Sequence, residues 1–212
     1  MTLTEFRKEY KLGSLRRRDL SENPLTQFNA WFEQAVKADI PEPTAMSLAT
    51  VDKHGQPSLR TVLLKVVNDR GFIFCTSYES QKGLEIEGNA RVALLFLWKE
   101  LERQICIEGT ALKVPTHESE FYFAARPIGS QLGAAASKQS LVVESREVLE
   151  KQYAELDARY AGQKIPRPPN WGGYVVAPKT IQFWQGRVNR LHDRFRYTKQ
   201  PDASWIIERL SP

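Results

Sequence analysis

Hydrophobic positions along the chain change their period near residue 44. Upstream, Phe28, Trp31, Phe32 and Val36 recur at helical spacing, which predicts a one-faced helix opened by Pro24. The first forty residues as a whole read as helical and peripheral, with charge-dense stretches at 7–11 and 15–20. Downstream the spacing becomes that of strands. Residues 44–51 and 59–67 flank a turn-rich connection at 52–57, and 68–71 turns the chain into a strand at 72–76. A short helix at 80–87 precedes strands at 91–98 and 103–114. Helices follow at 116–125, stopped by Pro127, at 130–136 and at 145–160, where Leu149, Tyr153, Leu156 and Tyr160 form a stripe and Gly162 a C-cap. Pro166, Pro168 and Pro169 mark an extended crossing before strands at 173–176, 180–185, 190–197 and 205–208. Successive short strands with tight turns predict a mainly β protein, an antiparallel barrel with flanking helices. No repeat or linker interrupts it, so 1–212 reads as one domain.

Composition narrows the class. A chain of 212 residues can bury a real core. The longest apolar runs are strand-length, too short to span a bilayer, and residues 1–10 lack a signal-peptide core. The two cysteines, Cys75 and Cys106, lie in apolar strand-like runs and read as buried thiols of a reducing cytoplasm rather than a disulfide framework. A formal charge of +5 favours anionic ligands, phosphate esters as readily as nucleic acid.

Arg190, His192 and Arg194 would share one face of a strand running from Arg190 to Phe195, with Leu191 and Phe195 on the other. Such a row is either a solvated basic face or a receptor for a planar anion, with Trp184 nearby as a flat wall. Arg60 and Lys65 bracket an apolar strand, and their odd spacing puts them on opposite faces unless a bulge intervenes. Ser80-Gln81-Lys82 opens a helix, either as a simple N-cap or as a phosphate grip. Tyr122 and Arg126 share a helical face, and Ser130 follows at another helix start; together they make a second candidate phosphate site. Residues 137–140 form a polar island able to read a heterocycle's edge. Arg16-Arg17-Arg18 is a solvated or inter-subunit cluster, or an accessory anion site. Glycine-rich phosphate loops, a Gly-x-Ser-x-Gly elbow and Cys/His metal spacings are all missing, so no metal is expected.

These motifs, with Pro43-Thr44-Ala45-Met46, Leu101-Glu102-Arg103-Gln104, Trp171-Gly172-Gly173 and the terminal Arg209-Leu210-Ser211-Pro212, closely resemble the pyridoxamine/pyridoxine 5′-phosphate oxidase family over nearly the whole chain. The resemblance implies an FMN-binding split β-barrel homodimer with flavin held between subunits. It implies an arm or lid at 1–20, a peripheral helix at 21–40 and a barrel with flanking helices at 43–212. FMN contacts would come from Arg60, Thr61, Val62, Leu63, Leu64, Lys65, Cys75, Thr76, Gln81, Lys82, Gln104, Gln139, Ser140, Trp184 and Arg194. The substrate phosphate would meet Lys65, Tyr122, Arg126 and Ser130, while Arg190 and His192 would lie over the pyridine ring as catalytic residues and Arg7 and Tyr10 would cover it. Two departures stand out: Cys75 where Tyr is frequent, and Gln81 where many members carry Arg.

The implied reaction takes pyridoxamine 5′-phosphate or pyridoxine 5′-phosphate to the aldehyde, with O2 reduced to H2O2. Two other classes compete: a split barrel with a reductase or storage role, and a basic barrel that binds nucleic acid. The aromatic residues are spread over core-like positions rather than a stacking platform, which weighs against the second.

Overall fold

Asn23 accepts a hydrogen bond from the Leu25 N–H at 2.8 Å, and Pro24 sits in the first turn, so helix α1 (Pro24–Lys37) starts where its backbone donors need a cap. In this computed structural model, which describes residues 8–212, α1 presses Phe28, Trp31 and Ala35 into the main core. Full burial of a side chain such as Phe28 contributes about 1.5–3 kcal/mol. Leu15 and Leu20, upstream of α1, enter the same core. The expectation of a helical, peripheral first forty residues is therefore corrected. Residues 8–16 are irregular, only Arg17–Asp19 makes a single 3-10 turn, and the segment is anchored by apolar side chains.

Strands β1 (Ala45–Val51), β2 (Pro57–Asn68), β3 (Gly71–Ser77), β4 (Arg91–Trp98), β5 (Arg103–Lys113), β6 (Trp171–Gln185), β7 (Asp193–Lys199) and β8 (Trp205–Leu210) form one antiparallel sheet in the order β3-β2-β1-β4-β5-β6-β7-β8. The sheet closes because β6 is long enough to serve two partners on one edge. Its first half pairs with β3, from Ser77↔Trp171 to Phe72↔Val176, and its second half pairs with β7, from Thr180↔Thr198 to Gln185↔Asp193. Six strands thus make the barrel, while β7 and β8 extend from its split. The changeover lies at Ala177 and Pro178, opposite a register shift at Glu108/Gly109. Gly109 suits it because a Cβ there would run into the Ala177 carbonyl. The two strands expected at 173–176 and 180–185 are thus one.

Helix α2 (Gln81–Gly88) follows β3. Between β5 and β6 lie α3 (Thr116–Ala124), α4 (Ile128–Ala136) and α5 (Arg146–Arg159). Phe123, Leu132, Ile165 and Trp171 form a second core under these helices, with Tyr153, Leu156 and Tyr160 of the predicted stripe packed against it, whereas Leu149 of the same stripe is exposed.

Candidate functional site

A cleft of about 860 Å3 opens between β2, β3 and the α3–α4 corner. Arg60, Thr61, Val62, Leu63 and Lys65 of β2 line it, with Cys75 and Thr76 of β3, Lys82 of α2, and Tyr122, Arg126, Ser130, Gln139 and Ser140 from beyond. Arg60 and Lys65 reach one cleft despite their odd spacing because the β2–β3 register slips between Leu64 and Val66, at Lys65. Leu64 itself turns into the core and is not part of the lining.

The cations fall into two groups. Lys82 is buried, and its Nζ lies 3.2–3.3 Å from Thr76 Oγ1, Ser80 Oγ and Gln139 Oε1. Burial pushes its pKa down and the Arg60 guanidinium adds to the shift, so an anion would relieve a desolvated ammonium. Lys65 and Arg126 make the second group. Both act on the half-buried Cys75 thiol, which burial nevertheless raises to about 11, an inert thiol rather than a nucleophile. Arg126 lies over the Trp171 ring at 4.9 Å, and its carbonyl accepts from Gln131 Nε2 at 2.8 Å, which fixes the turn into α4. Among the described residues no side chain caps α4, so its first-turn N–H groups beside Ser130 have no side-chain acceptor there.

A second recess holds Tyr10, Arg187, Asn189, Arg190 and His192. The strand predicted for Arg190–Phe195 is corrected here. Val188–Arg190 is a 3-10 turn with Asn189 (φ 57°) and Arg190 (φ 64°) both left-handed, and β7 starts only at Asp193. Leu191 is 69% exposed rather than in the core, whereas Phe195 is buried as expected. Arg190 and His192 are therefore gathered by a tight turn, held by the His192 N–H donating to the Arg190 carbonyl at 2.9 Å, and not by strand alternation. A left-handed arginine costs roughly 1–2 kcal/mol, which the surrounding contacts must hold in place.

Those contacts are specific. Tyr10 meets Trp184 edge-on at 5.5 Å and His192 at 5.7 Å, and the Trp184 and His192 rings are 4.7 Å apart. Glu102, only 3% exposed, accepts from the Leu12 N–H at 2.9 Å, and Arg187 donates to the Gly13 carbonyl at 2.8 Å. Asp193 accepts from the Leu15 N–H at 3.0 Å and from Arg209 at 2.7 Å. The irregular arm at 8–15 is thus tied across the recess. Arg7 lies outside the described residues.

Gln104, Trp184 and Arg194 lie in neither cleft lining. They form a row across three strands, with Gln104 opposite Trp184 and Trp184 opposite Arg194. Arg194 donates to the Ser211 carbonyl and to Gln182 Oε1, leaving its buried Nε without a partner among the described residues. Gln81 stays out of the cleft: it is exposed and its Nε2 donates to Glu85 Oε1 at 2.9 Å.

The family described as "Pyridoxamine 5′-phosphate oxidase" matches residues 32–185, and its "C-terminal dimerisation region" matches 171–212. The chain belongs to the pyridoxamine 5′-phosphate oxidase family. The pyridoxine/pyridoxamine 5′-phosphate oxidase of Paraburkholderia phymatum is 54% identical over 211 residues, covering 100% of this chain and 99% of the relative. That of Crocosphaera subtropica is 54% identical over 214 residues and covers 100% of both chains. Among solved structures, PhzG from Burkholderia lata 383, in complex with tetrahydrophenazine-1-carboxylic acid, superimposes with a TM-score of 0.90 at 33% identity, covering 95% of this chain and 99% of that one.

Thr50, Ser58 and Glu85, which no motif in the sequence singles out, surround Arg60. Thr50 Oγ1 and Ser58 Oγ donate to Glu85 Oε2 at 2.5 and 2.6 Å, and Arg60 Nη2 lies 3.1 Å from the same oxygen. Burial opposes the charge on Glu85, but hydrogen bonds from Ser58, Thr50, Gln81 and Arg60 outweigh it and take its pKa down to about 2. The available signal was a glutamate sharing the inward face of a short helix with Lys82 and Ile86.

Proposed function

We propose that this chain is an FMN-dependent oxidase that converts pyridoxamine 5′-phosphate and pyridoxine 5′-phosphate to pyridoxal 5′-phosphate. One observation carries the reading: a single cleft holds two distinct cation groups, Arg60 with Lys82 and Lys65 with Arg126, suited to a cofactor phosphate and a substrate phosphate side by side. The donor set fits FMN, since among the described residues the hydrogen-bond partners of Lys82 Nζ are neutral oxygens and the buried Arg194 Nε has no partner. FMN held there by Arg60, Lys82, Thr76, Gln139 and Ser140 would supply the redox chemistry, two-electron oxidation of the substrate at C4′ balanced by reduction of O2 to H2O2.

The protein's share is binding and orientation. Arg60, Lys82, Thr76, Gln139 and Ser140 would hold the cofactor with the β2 residues Thr61 to Leu63, and Lys65, Tyr122, Arg126 and Ser130 would hold the substrate phosphate. Cys75 lines the same cleft. Gln104, Trp184 and Arg194 supply further flavin contacts, while Arg190 and His192 orient the pyridine ring and Tyr10 covers it. Because those residues lie outside the cleft lining within one chain, the complete site needs a second copy, whose row and recess close on this cleft. The match to a dimerisation region supports that homodimer. Among the described residues no helix is long and apolar enough to cross a membrane.

The test is a visible spectrum of the purified protein, followed by pyridoxine 5′-phosphate with and without oxygen. Flavin bands that bleach anaerobically and recover in air with peroxide release are expected. A colourless protein that binds no added FMN, or a flavoprotein indifferent to pyridoxine 5′-phosphate, overturns the reading.

A further inference from the structure

Arg60 sits at the cleft with both terminal nitrogens already engaged. Nη1 donates to the Leu48 carbonyl and to Thr50 Oγ1; Nη2 donates to Ser58 Oγ and to Glu85 Oε2. Thr50 and Ser58 face each other across β1 and β2, and the hydroxyl of each donates a hydrogen bond to Glu85 Oε2. The guanidinium is therefore bound to one carboxylate three ways, directly and through two hydroxyl relays. Glu85 is 8% exposed and Thr50 fully buried, so the cluster is shielded from competing water.

This arrangement answers a physical difficulty at the site. Arg60 and the buried Lys82 repel one another, and in an empty cleft each would gain by leaving. A counter-charge on the side away from the ligand keeps the guanidinium in place, so the cost of ordering it is met before the ligand arrives. Glu85 supplies that charge from the same helix that carries Lys82, which couples the two cations to one rigid element.

We infer that Glu85, acting through Thr50 and Ser58, is a positioning residue: with the four Nη hydrogens of Arg60 spent on this cluster, it holds the guanidinium charge and the remaining Nε–H at the cleft wall for the cofactor phosphate. The inference rests on the reading of Arg60 as a phosphate contact.

The experiment is fluorescence titration of the full-length apoprotein with FMN and, separately, with riboflavin, which lacks the phosphate. Glu85→Gln should weaken FMN binding by roughly tenfold or more, the scale of a hydrogen bond to a charged group, while riboflavin affinity stays unchanged. In an Arg60→Ala background Glu85→Gln should cost nothing further, because the residue it positions is gone. Equal weakening of both flavins, no weakening, or tighter FMN binding by Glu85→Gln overturns the positioning role. If Arg60→Ala alone leaves FMN affinity unchanged, the phosphate reading of Arg60 is what fails. Should circular dichroism show Glu85→Gln unfolded, the Thr50→Val/Ser58→Ala double variant removes both relays; a phosphate-selective loss supports the role and none overturns it.

Discussion

The backbone N–H of Arg187 donates to Nδ1 of His192 at 3.1 Å. That bond requires Nδ1 to be an acceptor, so the neutral imidazole carries its proton on Nε2 and can offer a hydrogen bond there. Protonation would make both nitrogens donors and break the contact. Burial lowers the His192 pKa, and Arg190 and Arg194 lower it further. In the proposed mechanism His192 would therefore act as a neutral hydrogen-bond donor through Nε2 rather than as a proton acceptor.

Activity should accordingly persist below the ordinary histidine value of 6.5 and fall only as pH drops through the depressed pKa. The acid limb of kcat/KM measures it. In Arg190→Met, which removes one lowering charge, that limb should move to higher pH, and turnover should fall far more than FMN content. An unmoved limb with normal turnover would contradict both roles.

Arg126→Ala should raise KM for pyridoxine 5′-phosphate by about ten- to a hundredfold while leaving kcat less affected, since a phosphate grip contributes uniform binding. Wild-type enzyme should treat unphosphorylated pyridoxine as it treats a substrate lacking that grip. Steady-state kinetics on both substrates decide this, and a drop in kcat with KM unchanged would reassign Arg126.

Gly186→Ala should displace the arm. A Cβ at Gly186 would lie 2.7 Å from the Tyr10 side chain and 3.1 Å from Glu102 Cβ. Trp184, which packs against Tyr10, should report the change in its fluorescence, and limited proteolysis should cut the arm sooner. Identical fluorescence and proteolysis in variant and wild type would mean that the arm accommodates the methyl group.

Gln81→Ala should change FMN affinity by no more than about twofold, the scale of an exposed i,i+4 contact. Its amide faces Glu85 rather than the cleft. A tenfold loss would place it on the ligand instead.

Periodicity made much of the fold legible. The helix through Phe28 and Trp31, the strands before α3 and the packing of Tyr153, Leu156 and Tyr160 all depend on local spacing, and these are present. Backbone conformations outside that periodicity were not legible. Asn189 and Arg190 are both left-handed, an arrangement that alternating side chains cannot announce, so side-chain spacing alone predicts a strand where the chain turns. Residues 8–16 look helical by charge density yet are held irregular by Glu102 and Asp193, far away in sequence.

The sequence by itself determined the class of this protein: a mainly β barrel with flanking helices, basic residues in apolar strands, and motifs of one oxidase family. Such features are properties of neighbouring residues and survive in a one-dimensional reading. Only the tertiary structure decided how they combine. The slip at Lys65 brings it to the same cleft as Arg60, the pairing of β5, β6 and β7 aligns Gln104, Trp184 and Arg194, and the fold places Glu85 behind Arg60. Register and burial set these relationships, and both arise from contacts between segments that the chain brings together only on folding.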